Sequence, residues 1–94
     1  MPTVVPSPEW GIENAQELQA ALAPYLDADA EVVIAVPEAR RVHTASLQVL
    51  LAFVRDRAAA ARATRIEPCA ASLRDAAHLL GLGTALGLAS PPPP

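Results

Sequence analysis

Three side chains capable of chemistry fall within four residues, His43, Thr44 and Ser46, in the stretch RVHTASLQVLL at 41–51. An imidazole beside two hydroxyls suggests nucleophilic catalysis, in which a base takes the hydroxyl proton and a third group orients the base. No acid stands next to His43 to orient its ring, and the other histidine, His78, lies far along the chain. Those two histidines and a carboxylate would bind a metal only if the fold happened to bring them together. No glycine-rich phosphate loop precedes a helix, and no pair of acids has an obvious catalytic spacing. The expectation is a protein that is not an enzyme and has no metal or cofactor.

The same hydroxyls have a simpler use. The apolar run LQVLLAFV (47–54) follows them directly, and a hydroxyl just before a helix accepts from its free N–H groups, worth about 1 kcal/mol. Thr44 is well placed to be that cap. A helix start also favours a phosphate, whose charge meets the positive end of the dipole. Thr44 is therefore read first as a cap and second as a phosphate acceptor. A small-ligand site or enzyme built from His43, Thr44 and Ser46 comes last.

The elements around this stretch follow from periodicity and turn chemistry. TVV (3–5) is the only strand-like piece of a proline-rich start. Asn14 with Glu17 resembles a capping box, and Leu18, Ala21, Leu22 and Tyr25 give a first helix one buried face. Pro24 should kink or end that helix near Leu26. EVVIAV (31–36) reads as a strand buried on both faces of a parallel sheet, stopped by Pro37. A second helix is expected from about 45 to 63, with Leu47, Leu50, Leu51, Val54, Ala58 and Ala61 facing the sheet. Val49 and Phe53 fall on the other side, covered by a neighbouring helix or forming an exposed patch for a partner, with Arg55 and Arg62 flanking.

TRIEPC (64–69) reads as a weaker strand, and Ser72 with Asp75 as the cap of a third helix. Leu73, Ala76, Ala77 and Leu80 would face inward, Gly81 or Gly83 would end the helix, and TALGL would add a last turn. The order strand, helix, strand, helix, strand, helix argues for an α/β sandwich with a mainly parallel sheet. Trp10 is expected to cover one end of the core or to act as a contact, Cys69 to be a small buried residue, and His78 a polar or half-buried one.

Composition limits the partners. Ninety-four residues make one domain, and 21 of them are alanine. No apolar run is long enough to span a membrane, no secretory leader is evident at the start, and the single cysteine allows no internal disulfide. A reduced, cytoplasmic setting is expected. Residues 1–39 hold seven acids and no base, whereas 40–94 hold seven arginines against three acids. Either these surfaces neutralise each other across the fold, or the arginines form a patch for an acidic partner. Nucleic acid is not expected, because the chain is acidic overall and lacks an aromatic stacking platform.

EVVIAV, ARRVHTASLQVLLAFVRDRAAAARA and SLRDAAHLLGLGTALGL, preceded by IENAQELQAAL, together resemble the STAS domain family, the anti-sigma-factor antagonists and their relatives. The likeness spans roughly residues 10–88. It implies a STAS-like sandwich at 10–89, with a mainly parallel small sheet and helices packed on it. A proline-rich segment with one short strand (1–9) precedes the domain and a proline tail (90–94) follows it. The family usually begins with two strands, so the N-terminal strand region is shortened.

The family motif of Asp, Ser or Thr, a small residue, Gly and Leu falls on His43, Thr44, Ala45, Ser46 and Leu47. The resemblance places the phosphoacceptor on Thr44, with Ser46 as the secondary candidate. It implies a bacterial, non-enzymatic signalling module whose partner contacts are His43, Thr44, Ala45, Ser46, Gln48, Val49 and Phe53. The implied partner is an anti-sigma kinase of the serine-kinase type, the ATPase of a lipid-trafficking ABC transporter, or a chemotaxis component. His43 replaces the Asp and Ser46 the Gly, departures that would suit a domain degenerate as a switch and constitutively bound.

Overall fold

Val32, Ile34 and Val36 are buried along β2 (Val32–Val36), while Val33 and Ala35 between them are half-buried. In the computed structural model, which describes residues 2–88, β2 is the middle of a three-stranded sheet. β1 (Thr3–Val4) and β3 (Thr64–Cys69) pair with it on either side, both in parallel. Parallel neighbours require crossover connections, which α1 (Ala15–Leu22) and α2 (Thr44–Ala59) provide; α3 (Ala71–Leu79) follows β3. The alternation read from the sequence is the observed one: a small α/β fold with a parallel sheet and three helices.

One apolar cluster joins the inward side chains of β2 to Leu18 and Leu22 of α1, Leu47, Leu50 and Phe53 of α2, and Leu73 and Ala77 of α3. All three helices therefore cover the same face, giving two layers. The unbroken apolar run of β2 suggested cover on both faces, and this is corrected. On the other face Val33 lies beside exposed Arg65, its partner on β3, with no helix over them. Both sheet edges are blunted: β1 is two residues long between prolines, and β3 carries Arg65, Glu67 and Pro68, with a bulge opposite Ala35.

α2 is rotated relative to the expected wheel. Ser46, Leu47, Leu50, Phe53 and Arg57 are buried, Leu51 and Val54 are half-buried, and Ala58 and Ala61 are exposed. The reason is that α2 packs on α1 as well as on the sheet, so the buried stripe turns toward Phe53. Of the two readings for Phe53, cover by the neighbouring helix is the one seen.

Two expected caps are absent. Asn14 is itself helical, closing a 3-10 turn (Ile12–Asn14) that leads into α1, and its side chain makes no cap bond. α3 starts at Ala71, a residue before Ser72, whose hydroxyl instead donates to the Ala39 carbonyl at 2.6 Å. Pro24 acts as expected: α1 stops at Leu22 and a 3-10 turn (Ala23–Tyr25) replaces its continuation. Gly81, at φ 74°, ends α3, with the Leu82 N–H donating to the Ala77 carbonyl at 2.8 Å. Gly83 serves space rather than φ, because a Cβ there would collide with the half-buried His78 ring. α2 ends in the same motif with a less suitable residue: Ala61, at φ 59°, takes the left-handed position.

Arg57, not singled out by the sequence, is fully buried. Its Nε donates to Thr64 Oγ1 at 2.9 Å. Nη1 donates to the carbonyls of Tyr25 and Ala28 at 2.8 and 2.9 Å, and Nη2 to those of Ala30 and Ala63 at 3.0 and 2.9 Å. The guanidinium thus gathers the α1–β2 loop and the start of β3 around the end of α2. Its carbon lies 5.8 Å from the centre of the Phe53 ring.

Candidate functional site

The loop before α2 is held by four hydrogen bonds to two other parts of the chain, residues 8–10 and Ser72. The Arg40 N–H donates to the Pro8 carbonyl at 2.7 Å, and the Trp10 N–H to the Arg40 carbonyl at 2.9 Å. The His43 N–H donates to the Trp10 carbonyl at 2.9 Å, so residues 8–10 act as an extra strand edge for the loop. Trp10 is 1% exposed, covering this end of the core rather than standing out as a contact. Ser72 fixes Ala39 from below. Within this frame Arg41 is exposed in the left-handed region at φ 53°, a conformation costing about 1–2 kcal/mol outside glycine.

His43 is the cap of α2, not Thr44. Its backbone is extended, and its Nδ1 accepts from the Ala45 N–H at 3.0 Å. The neutral ring therefore carries its proton on Nε2. Thr44 is the first helical residue, exposed, and its hydroxyl makes no hydrogen bond among the described residues. The correction has a simple cause: the extended residue before a helix is the one whose side chain reaches back over the first turn, and the pairing with Trp10 makes His43 that residue.

Ser46 differs from its neighbour. It is fully buried, and its hydroxyl donates to the Gly11 carbonyl at 3.0 Å, tying α2 to the entry of α1. A phosphate on Ser46, the secondary acceptor expected from the sequence, would have to break that bond and open the loop. Of the remaining expected contacts, Gln48 is exposed, Ala45 and Val49 are half-buried, and Phe53 is buried. The structure thus brings His43, Thr44 and Gln48 to the surface at one helix start and places Ser46 and Phe53 beneath it. No three His, Cys, Asp or Glu side chains come together as a metal cage among the described residues.

The charge asymmetry resolves into ion pairs. Arg40 meets Glu9 at 3.1 Å, Arg62 meets Asp29 at 3.4 Å, and Arg65 meets Glu31 at 3.5 Å, each joining the acidic half to the basic half. These pairs are largely exposed and screened by solvent, so each adds little to stability. Arg40 also bonds Glu38 at 3.0 Å and holds that carboxyl below its usual range. With three arginines paired in this way and Arg57 buried, Arg41 and Arg55 are left as exposed arginines that join no ion pair among the described residues. Cys69 is half-buried, and burial pushes its thiol up, partly offset by Arg74. No described helix is long and apolar enough to cross a membrane. The proline tail lies outside the described residues.

No protein-family model matches this sequence, and no curated protein matches it.

Proposed function

We propose that the chain is a non-enzymatic protein-interaction module of the STAS type that meets its partner through the 40–44 loop and the outer surface of α2. Thr44 is the residue at which a phosphate would control the contact. One observation carries the reading: an exposed threonine hydroxyl, free of any described hydrogen bond, begins a sixteen-residue helix on a loop fixed by its neighbours. A phosphate at that place meets the positive end of the helix and adds charge without disturbing the core. The partner is proposed to be a serine-kinase-type anti-sigma regulator in the cytoplasm.

A second reading is favoured by one feature. His43 and Ser46 lock the loop internally, as suits a constitutive subunit of a lipid-transport ATPase or of a chemotaxis assembly. Either way the contact surface is the same. A photo-crosslinking residue at position 44, with a control at position 65 on the open sheet face, tests it in cells that make the protein. A protein crosslinked from 44 and not from 65 is expected. Crosslinking from both alike, or from 65 alone, would contradict the proposal.

A further inference from the structure

Trp10 is the single tryptophan of the chain, and its indole Nε1–H is buried with no acceptor among the described residues. A buried donor left without an acceptor carries the full cost of its lost hydration. Nearly all such groups in folded proteins therefore find a partner, in the protein or in ordered water. The Trp10 side chain is shut off from bulk solvent, yet it lines a small cavity of about 20 Å³ between residues 6–10, α1 and the start of α2.

Size and chemistry together select the ligand. One water molecule needs about 10–15 Å³ of such space, so the cavity admits one and excludes an organic ligand or a hydrated ion. Cavities that stay dry are lined by apolar groups, and this one is not. Ser46 stands in its wall, fully buried, and gives its hydroxyl proton to the Gly11 carbonyl, which leaves oxygen lone pairs free to accept. Asn14, half-buried in the wall, makes no cap bond with its side chain, and the Glu17 carboxylate is a further acceptor. One buried donor thus faces several acceptors. An anion here would meet the carboxylates of Glu9 and Glu17, and a cation would meet the indole N–H. Water, with two lone pairs and two protons, satisfies both kinds of group.

We infer that one buried water molecule is a fixed part of this fold, accepting from Trp10 Nε1 and donating to Ser46 Oγ and to a side chain of Asn14 or Glu17. It ties residues 6–10 to α1 and to the start of α2, under the loop that presents Thr44. Ser46 then holds that loop twice, directly through Gly11 and through the water. The inference does not depend on what the protein binds.

The parent protein tests it without substitution, because a single tryptophan gives a single indole signal in ¹H–¹⁵N spectra. A cross-peak from the Trp10 Nε1–H to the water frequency is expected, with opposite signs in NOE and ROE spectra, as a water that outlasts molecular tumbling gives. A high-resolution crystal structure should show one isolated oxygen at about 2.9 Å from Nε1, within hydrogen-bond reach of Ser46 Oγ. That second measurement separates a bound water from a cross-peak relayed by the exchanging Ser46 hydroxyl. A protein atom accepting from Nε1, no density beside it, or a file of solvent running from it to the surface would overturn the inference. So would the loss of the cross-peak, or equal signs in the two spectra, which mark proton exchange with bulk water.

Discussion

Replacing Arg57 by methionine keeps most of the side-chain length and removes every donor of the guanidinium. An isolated buried cation is costly, and replacing buried ionic groups by apolar ones of similar volume is often neutral or stabilising. Here the five N–H groups of Arg57 meet Thr64 Oγ1 and four carbonyls at 2.8–3.0 Å, with no carboxylate among the partners. A bond to a charged group is worth about 1.5–3 kcal/mol, but these bonds share one ion and do not add. Ala30 and Ala63 are exposed, so their carbonyls can turn to water; Tyr25 and Ala28 are half-buried and regain less. Two carbonyls left poorly solvated and a loosened 25–30 loop put the loss at about 3–5 kcal/mol. At about 4–8 °C per kcal/mol for a domain of this size, Tm should fall by more than 12 °C. Arg57→Lys, with three donors for five acceptors, should fall between. Urea unfolding followed by fluorescence of Trp10, the single tryptophan and buried in the folded state, measures both variants. A methionine variant as stable as the parent would refute the reasoning, because desolvation of the cation would then outweigh its bonds.

Other consequences are smaller. Ala61→Gly should stabilise the domain by about 0.5–1 kcal/mol, since glycine takes φ 59° without the cost alanine bears there, read as a higher urea midpoint at unchanged slope. Cys69 should stay unreactive toward a thiol reagent at neutral pH in the folded protein and react on unfolding. Its folded thiol titrates above the ordinary 9.0, so its contribution to stability is complete below that value and declines as pH rises past it. A folded protein that reacts at the rate of a free thiol would contradict this.

The parts of the fold that were legible in the sequence are those fixed by short-range pattern. TRIEPC became β3 residue for residue, EVVIAV lost only its first residue in becoming β2, and Gly81 ended α3 as its position suggested. What failed was set by tertiary contacts. The buried face of α2 turned toward Phe53 because α1 lies beside it, something a wheel drawn for one helix does not contain. His43 rather than Thr44 became the cap because Trp10 pairs with His43 across more than thirty residues. Arg57 was hidden for the same reason: an arginine in RDRAAAAR reads as solvated surface, and its partners are carbonyls, which carry no sequence signal. Only its place on the 46–50–53–57 stripe could have revealed it.

The central claim is that the start of α2 is a contact surface controlled at Thr44. Affinity capture from cells that make the protein, with bound proteins and phosphorylation read in the same spectra, tests it most directly for the parent, Thr44→Ala and Thr44→Glu. The account predicts phosphate on Thr44 and none on buried Ser46. It also predicts a partner retained by the parent and by Thr44→Ala, and lost or weakened with Thr44→Glu. A bare Thr44 with the same partner held equally by all three would contradict the switch and leave a constitutive subunit.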